Sequence, residues 1–191
     1  MRFLRPILAF LVLAVAICTA QTASTPQSIK FSSSEYEAPA FYATYPVPEN
    51  DRSPVTYSSD RVPLKNGGKA TLHNYSLSLH NNADAFLVLY CDIPNVRGDT
   101  ATLDQMLDGS LSKLDNAKPG PKTDSTYSGL PARMVSAAGS YFRGKSVFKV
   151  TAYQRIAVQG SRVWQGIVIC DQRTTCSESD AMKFLDSIKI R

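Results

Sequence analysis

The run from Val147 to Cys170 decides how this chain folds: VFKVTAYQRIAV, then Gln159-Gly160-Ser161, then RVWQGIVIC. Two stretches rich in β-branched and aromatic residues flank a Gly-Ser pair, which predicts a tight antiparallel hairpin with glycine at the φ > 0 position. Side chains alternate along a strand, so Phe148, Val150, Ala152, Ile156 and Val158 share one face, and Lys149, Thr151, Tyr153 and Arg155 the other. The second face is half apolar, because Tyr153 is expected to meet Trp164 and Val168 across the turn. A ribbon of this kind belongs at the centre of a sheet, covered completely on one side and partly on the other.

Outward from this hairpin, the chain reads as further strands with two helical interruptions. Ala85–Cys91 is apolar on both faces, as a central strand is. Ala70–His80 alternates, with Tyr75, Leu77 and Leu79 on one side. Asn66-Gly67-Gly68 and Asn81-Asn82-Ala83-Asp84 read as turns. Val55–Leu64 reads as an edge strand ended by Pro63, and Ile29–Phe31 and Phe41–Tyr45 as short strands, the latter closed by Pro46 and Pro48. Thr123–Tyr127 and Ala132–Ala138 flank Ser128–Pro131, and Gly139 and Gly144 bracket a turn into the central hairpin.

The period changes to helical over Asp99–Lys118, where Leu103, Met106, Leu107, Leu111 and Leu114 form one stripe. Thr102 with Gln105 has capping-box spacing, and Asp99 and Thr100 are alternative caps. Gly109 costs this helix about 1 kcal/mol, so packing must hold it. A second helix spans Ser177–Asp186, capped by Ser177 with Asp180, and Ile188–Ile190 is extended. Hairpin-linked strands with two inserted helices predict an α+β fold, an antiparallel sheet flanked by helices as an α/β/α sandwich.

The first twenty residues read as an address. Arg2 and Arg5 precede an apolar run to Ile17, and Cys18-Thr19-Ala20 supplies the small residues of a signal-peptide cleavage site after Ala20. The run falls short of the roughly 20 residues that cross a bilayer. Lipidation of Cys18 is the competing reading. Export to the periplasm or the medium follows, with a Ser/Thr/Gln/Pro leader over Gln21–Ser28 and a single domain over 29–191. Removing Arg2 and Arg5 leaves 19 basic against 16 acidic residues, a formal charge lowered from +5 to +3. The basic residues are scattered, which argues against a nucleic-acid stripe.

Export permits disulfides. Cys170 and Cys176 enclose a five-residue loop and are the preferred pair, with Cys91–Cys170 as competitor; connectivity stays open at this level.

Reactive constellations are sparse. His73 and His80 lie seven positions apart on one strand and face opposite ways, so they share no metal. G-x-S-x-G, H-E-x-x-H, C-x-x-C and phosphate-loop patterns are absent. Asp104 and Asp108 read as a solvated helix face. No cofactor or metal is expected. Tyr141, Phe142, Arg143, Tyr153, Arg155 and Trp164 form a candidate aromatic–Arg surface, which either receives a partner or lies under a helix.

Phe41-x-x-x-Tyr45-Pro46, Gly129-Leu130-Pro131-Ala132-Arg133 and Phe184-Leu185-Asp186-Ser187-Ile188 resemble the PsbP-like fold, shared by photosystem PsbP, the Ran-binding Mog proteins and DcrB-type envelope proteins. The resemblance spans roughly Ile29–Ile190. It implies an antiparallel sheet with helices and a non-enzymatic binding or assembly role. The expected function is therefore that of an exported, non-enzymatic binding or assembly protein of the cell envelope or secreted fraction, monomeric, acting through one face of its sheet on an envelope or secreted protein. A small-ligand carrier with an aromatic/Arg pocket is the alternative, and a hydrolase using Cys91 or a serine the remote one.

Overall fold

The computed structural model describes residues 30–31, 36–47, 55–64, 68–143 and 146–191. The signal peptide expected over Met1–Ala20 and the leader Gln21–Ser28 lie outside the described residues. In chain order the elements are β1 (Lys30–Phe31), β2 (Tyr36–Glu37), β3 (Phe41–Ala43), β4 (Pro46–Val47), β5 (Thr56–Pro63), β6 (Lys69–Leu79) and β7 (Asp84–Asp92). There follow α1 (Thr100–Leu111), β8 (Asp115–Pro119), β9 (Thr123–Tyr127), β10 (Leu130–Arg143), β11 (Ser146–Gln159), β12 (Arg162–Asp171), α2 (Glu178–Ser187) and β13 (Lys189–Ile190).

The principal sheet has eight strands in the order β5-β6-β7-β12-β11-β10-β8, with β9 also paired to β10. The β11–β12 hairpin sits at its middle, as its composition requires. Gly160 takes φ 62° in the two-residue turn, and Gln159 pairs with Arg162 across it. The β9–β10 turn uses Ser128 and Gly129 at φ 53° and 82°, the pattern of a type I′ turn. β5 is an edge strand, and Pro63 ends it.

Alternation along β12 divides the core. Trp164, Val168 and Cys170 pack on one face with Phe86, Val88 and Tyr75, beneath Ala181, Phe184 and Leu185 of α2. Val163, Ile167 and Ile169 pack on the other with Leu87, Leu89, Val135, Val150 and Ile156, against Leu103, Leu107 and Leu111 of α1. Burial of each such side chain contributes about 1.5–3 kcal/mol.

Several expectations are corrected. The α/β/α sandwich is not evident: helices of 12 and 10 residues face strands of up to 14, and the α2 side is also covered by a three-stranded sheet, β13-β3-β2. The architecture is α+β and mostly antiparallel sheet. The first helix stops at Leu111 instead of running to Lys118. Asp99 caps its start by accepting from Thr102 N at 2.8 Å. At its end Gly109 and the Ser112 hydroxyl, which donates to Gly109 O at 2.7 Å, favour a stop. The next residues gain more by pairing with β10, Lys118 opposite Ala138 and Pro119 opposite Ala137.

Gly139 is not in a turn but within β10, where a Cβ would meet Leu114 Cβ at 3.1 Å and Asp115 O at 3.3 Å. Its glycine is explained by that close backbone approach. Pro46 does not merely close a strand; it pairs with Phe31 in a two-residue bridge at which no proline N–H is needed. Tyr153 stands opposite Val168 as expected, but Trp164 stands opposite Ala157, four positions further along β11.

Candidate functional site

The residues singled out in the sequence are distributed over three places. Trp164 is fully buried, its ring 4.8 Å from Tyr90 and 6.3 Å from Phe41. Arg155 is buried on the α2 side, where Nη1 donates to Leu185 O at 3.3 Å and Nη2 pairs with Asp186 at 2.7 Å. Tyr153 is half-buried beside α2, and desolvation, then the charge of Glu178, raises its phenol pKa. Arg155 and Tyr153 thus lie beside α2, while Trp164 lies against Phe41 of β3. Tyr141 belongs to the far end of β10, on the opposite face, where its ring stacks on Phe148 at 4.9 Å and its hydroxyl donates to Asn82 O at 3.0 Å. Arg143 ends β10 and pairs in register with Ser146.

Cys170 and Cys176 form the disulfide, with Cα atoms 5.2 Å apart. The competitor is excluded by geometry: Cys91 stands opposite Val163 in the sheet and faces the α1 side, whereas Cys170 faces the α2 side. Cys91 is buried and free, and desolvation pushes its thiol up to about 12. Such a group stays a thiol at neutral pH and is not a competent nucleophile.

The loop closed by the disulfide is pinned by Asp84, at the start of β7. Asp84 Oδ1 accepts from Asp171 N and from Thr174 Oγ1, both at 2.8 Å, while Oδ2 lies 2.5 Å from His80 Nδ1. Burial raises the Asp84 carboxyl above its ordinary range, although each of these hydrogen bonds opposes the shift. The hydroxyl bonds the carboxylate and not the imidazole, so this His–Asp–Thr set lacks the connectivity of a nucleophilic triad. It fastens the loop to the His80–Asn82 turn, three successive residues at positive φ.

A row of rings that the sequence reading did not assemble crosses the α2 face from the β5 edge inward. Tyr57 stacks near His73 at 6.0 Å with its hydroxyl 2.9 Å from Nδ1, His73 stacks on Tyr90 at 4.5 Å, and Tyr90 leads to Trp164. Register produces the row, since His73 and Trp164 both stand opposite Tyr90. Arg162 lays its guanidinium 5.0 Å from the Tyr90 ring centre and holds Asp92 through Nε and Nη2 at 2.8 and 2.9 Å. That bidentate pair keeps the Asp92 carboxyl below its ordinary range. Exposure grades along the row, from Tyr57 at 52% to Trp164 at 0%. The inner rings cover one another, while the row ends at the sheet edge in the half-exposed Tyr57, whose hydroxyl is engaged by His73 Nδ1. The clue in the sequence was the same parity of Tyr57, His73 and Tyr75 on adjoining strands, which becomes legible only once register is known.

On the other face, a cavity of about 20 Å³ lies among Leu72, Leu89, Cys91, Met106, Val163 and Gln165. That is room for about one water. Gln165 beside it is satisfied, donating to Ser110 Oγ and Gln154 Oε1 at 3.0 Å each. Among the described residues no three His, Cys, Asp or Glu side chains gather as a metal site, and no helix is long and apolar enough to cross a membrane.

No family model matches the chain, and no curated protein matches it. Among solved structures it is similar to LpqN, described as involved in cell envelope biogenesis of Mycobacterium tuberculosis, at 13% identity and a TM-score of 0.42, over 70% of this chain and 91% of that one. A likeness this remote bears on neither activity nor partner. The residues that carry the PsbP-like resemblance meet in one core, a packing that does not by itself show that fold: the Tyr45 and Phe184 rings lie 4.9 Å apart, Thr44 N donates to Ser187 Oγ, and Leu130 and Ala132 pack against the same cluster.

Proposed function

We propose that this chain is an exported, non-enzymatic binding or assembly protein of PsbP-like type, which holds an envelope or secreted protein against the α2 side of its sheet. The observation that supports the reading is the Tyr57–His73–Tyr90 row, exposed at the sheet edge and anchored inward on buried Trp164. An exposed tyrosine ring near an Arg–Asp pair suits a protein contact, in which a rigid aromatic loses little entropy on binding. Inner rings stacked on one another leave no slot between them, which argues against the small-ligand carrier. Disulfide formation agrees with export.

The test is capture from the native compartment with the mature chain and with Tyr57→Ala/Arg162→Ala. A partner retained by the first and lost by the second supports the reading. Identical captured sets, with the variant folded, overturn it.

A further inference from the structure

The principal sheet has two edges of unequal kind. At one, β8 and β9 share the side of β10, with a register shift between Ala138 and Ser140 and with Pro119 and Pro121 between the two pairings. A broken edge that carries proline resists further pairing. At the other, Thr56–Val62 of β5 runs without proline in unbroken register with β6, from Thr56 opposite Ser76 to Val62 opposite Ala70. No strand lies on its outer side, and among the described residues Thr56–Pro63 make no backbone hydrogen bond outside that ladder. Every second residue of such a strand turns its N–H and C=O outward, and these groups template another strand.

The side chains select which strand. Tyr57, Ser59 and Arg61 are exposed and share the α2 side, where Tyr57 meets His73 and Tyr75. Thr56, Ser58 and Asp60 take the opposite side. Asp60 stands opposite Leu72 and Arg61 opposite Thr71, and among the described residues neither charge has an ion-pair partner.

Two copies joined β5 to β5 about a two-fold axis normal to the sheet run antiparallel, with one residue opposite itself. Centring on Asp60 or Arg61 would set like charges face to face, which is destabilising. Centring on Ser58 would leave Arg61 opposite Val55. Centring on Ser59 sets Tyr57 opposite Arg61 of the second copy, a cation–π contact that the symmetry makes twice. Ser58 then meets Asp60 of the second copy, hydroxyl to carboxylate, and Thr56 meets Val62. An unrelated extended chain would need this pattern of its own, whereas β5 already carries it.

From this self-complementary edge we infer that the chain pairs with a second copy of itself through β5, in the register centred on Ser59. This choice of partner rests on the aromatic row being a contact surface, since Arg61 of the second copy covers the open part of the Tyr57 ring. One strand pair is a small interface, so the association is weak and concentration-dependent.

The test is sedimentation velocity of the mature chain from about 1 µM to about 1 mM, beside Ser59→Lys and Ser59→Cys. The parent should dimerise toward the upper end. Ser59→Lys, which brings two ammonium groups together on the axis, should weaken the dimer about tenfold or more and leave thermal unfolding of the monomer unchanged, as Ser59 is exposed. Ser59→Cys should cross-link into a dimer with oxidised glutathione, whereas Thr126→Cys, exposed at the opposite edge, should not. A dimer equally tight in Ser59→Lys, or equal cross-linking from positions 59 and 126, overturns the inference. So does a parent that stays monomeric throughout. If that monomer still captures another protein through Tyr57 and Arg162, self-association alone falls and the contact reading stands; if it captures none, both fall.

Discussion

Leu185 of α2 lies so close over Gly166 of β12 that a Cβ at position 166 would stand 2.7 Å from Leu185 Cδ2. The same carbon would meet Tyr127 Oη at 3.0 Å and Ile188 Cδ1 at 3.2 Å, and all three residues are fully buried, so none can swing away. Glycine here sets how closely the second helix approaches the sheet. Gly166→Ala should destabilise by about 1–3 kcal/mol, as overpacking does. Gly98→Ala, whose nearest contact is Val158 Cβ at 3.4 Å, should change little. Thermal unfolding of both variants compares them directly; equal midpoints would mean that α2 moves without resistance.

The thiols give a second test. In the chain from Gln21 onward a thiol reagent should find none in the native state at neutral pH, because Cys91 is buried and its pKa raised, and one after denaturation. Reduction should cost stability at the low end of about 2–4 kcal/mol, since the loop is short and Asp84 continues to hold Asp171 and Thr174. A native-state thiol signal would place Cys91 elsewhere.

His73 gives the protein a slope in pH. Burial, and next the nearby Arg162, hold its imidazole below the ordinary value, with Asp92 opposing. The unfolded chain therefore takes up the proton first. Stability is full above about pH 7 and declines as pH drops through about 6.5 toward the lower folded value. His73→Gln should flatten that decline in urea unfolding between neutrality and about pH 5. A ring-proton titration of the native protein with a midpoint at or above the free-histidine value would contradict this account.

Arg133 clamps the first helix to the sheet. Its Nε donates to Asp104 Oδ1 and its Nη1 to Asp124 Oδ1, both at 2.7 Å, and Nη2 also reaches Lys122 O at 3.1 Å. Arg133→Met should hasten amide exchange in α1 and β9 and leave α2 unaffected. Uniform exchange across both helices would show the clamp to be idle.

Much of this architecture is legible in the residues themselves. Gly160 and Asn81-Asn82 mark turns because few side chains tolerate their backbone angles, Ser177 with Asp180 forms a complete capping box, and the doubly apolar β7 is central. What escapes is whatever depends on neighbours remote in sequence. Leu114 continues the helical stripe, yet the free edge of β10 claims Asp115–Pro119 as strand. Trp164 and Tyr153 look adjacent on paper, and only register separates them. The aromatic row needs three strand alignments at once, and the bareness of Phe142 depends on where β8 and β12 stop. Alternation predicts a face but not what lies over it.

The placement of β12 between β7 and β11 has a consequence for assembly. β11 and β12 meet through a two-residue turn, whereas the Arg162–Asp92 contact closes a span of 70 residues. Local pairing is fast and remote pairing slow, because chain entropy must be spent before the contact returns anything. The C-terminal ribbons should therefore form early, and the β5–β7 meander should dock on them last. Until residue 171 has been made, β7 keeps an open edge beside Phe86 and Val88, the kind of unpaired apolar strand through which partly folded chains aggregate.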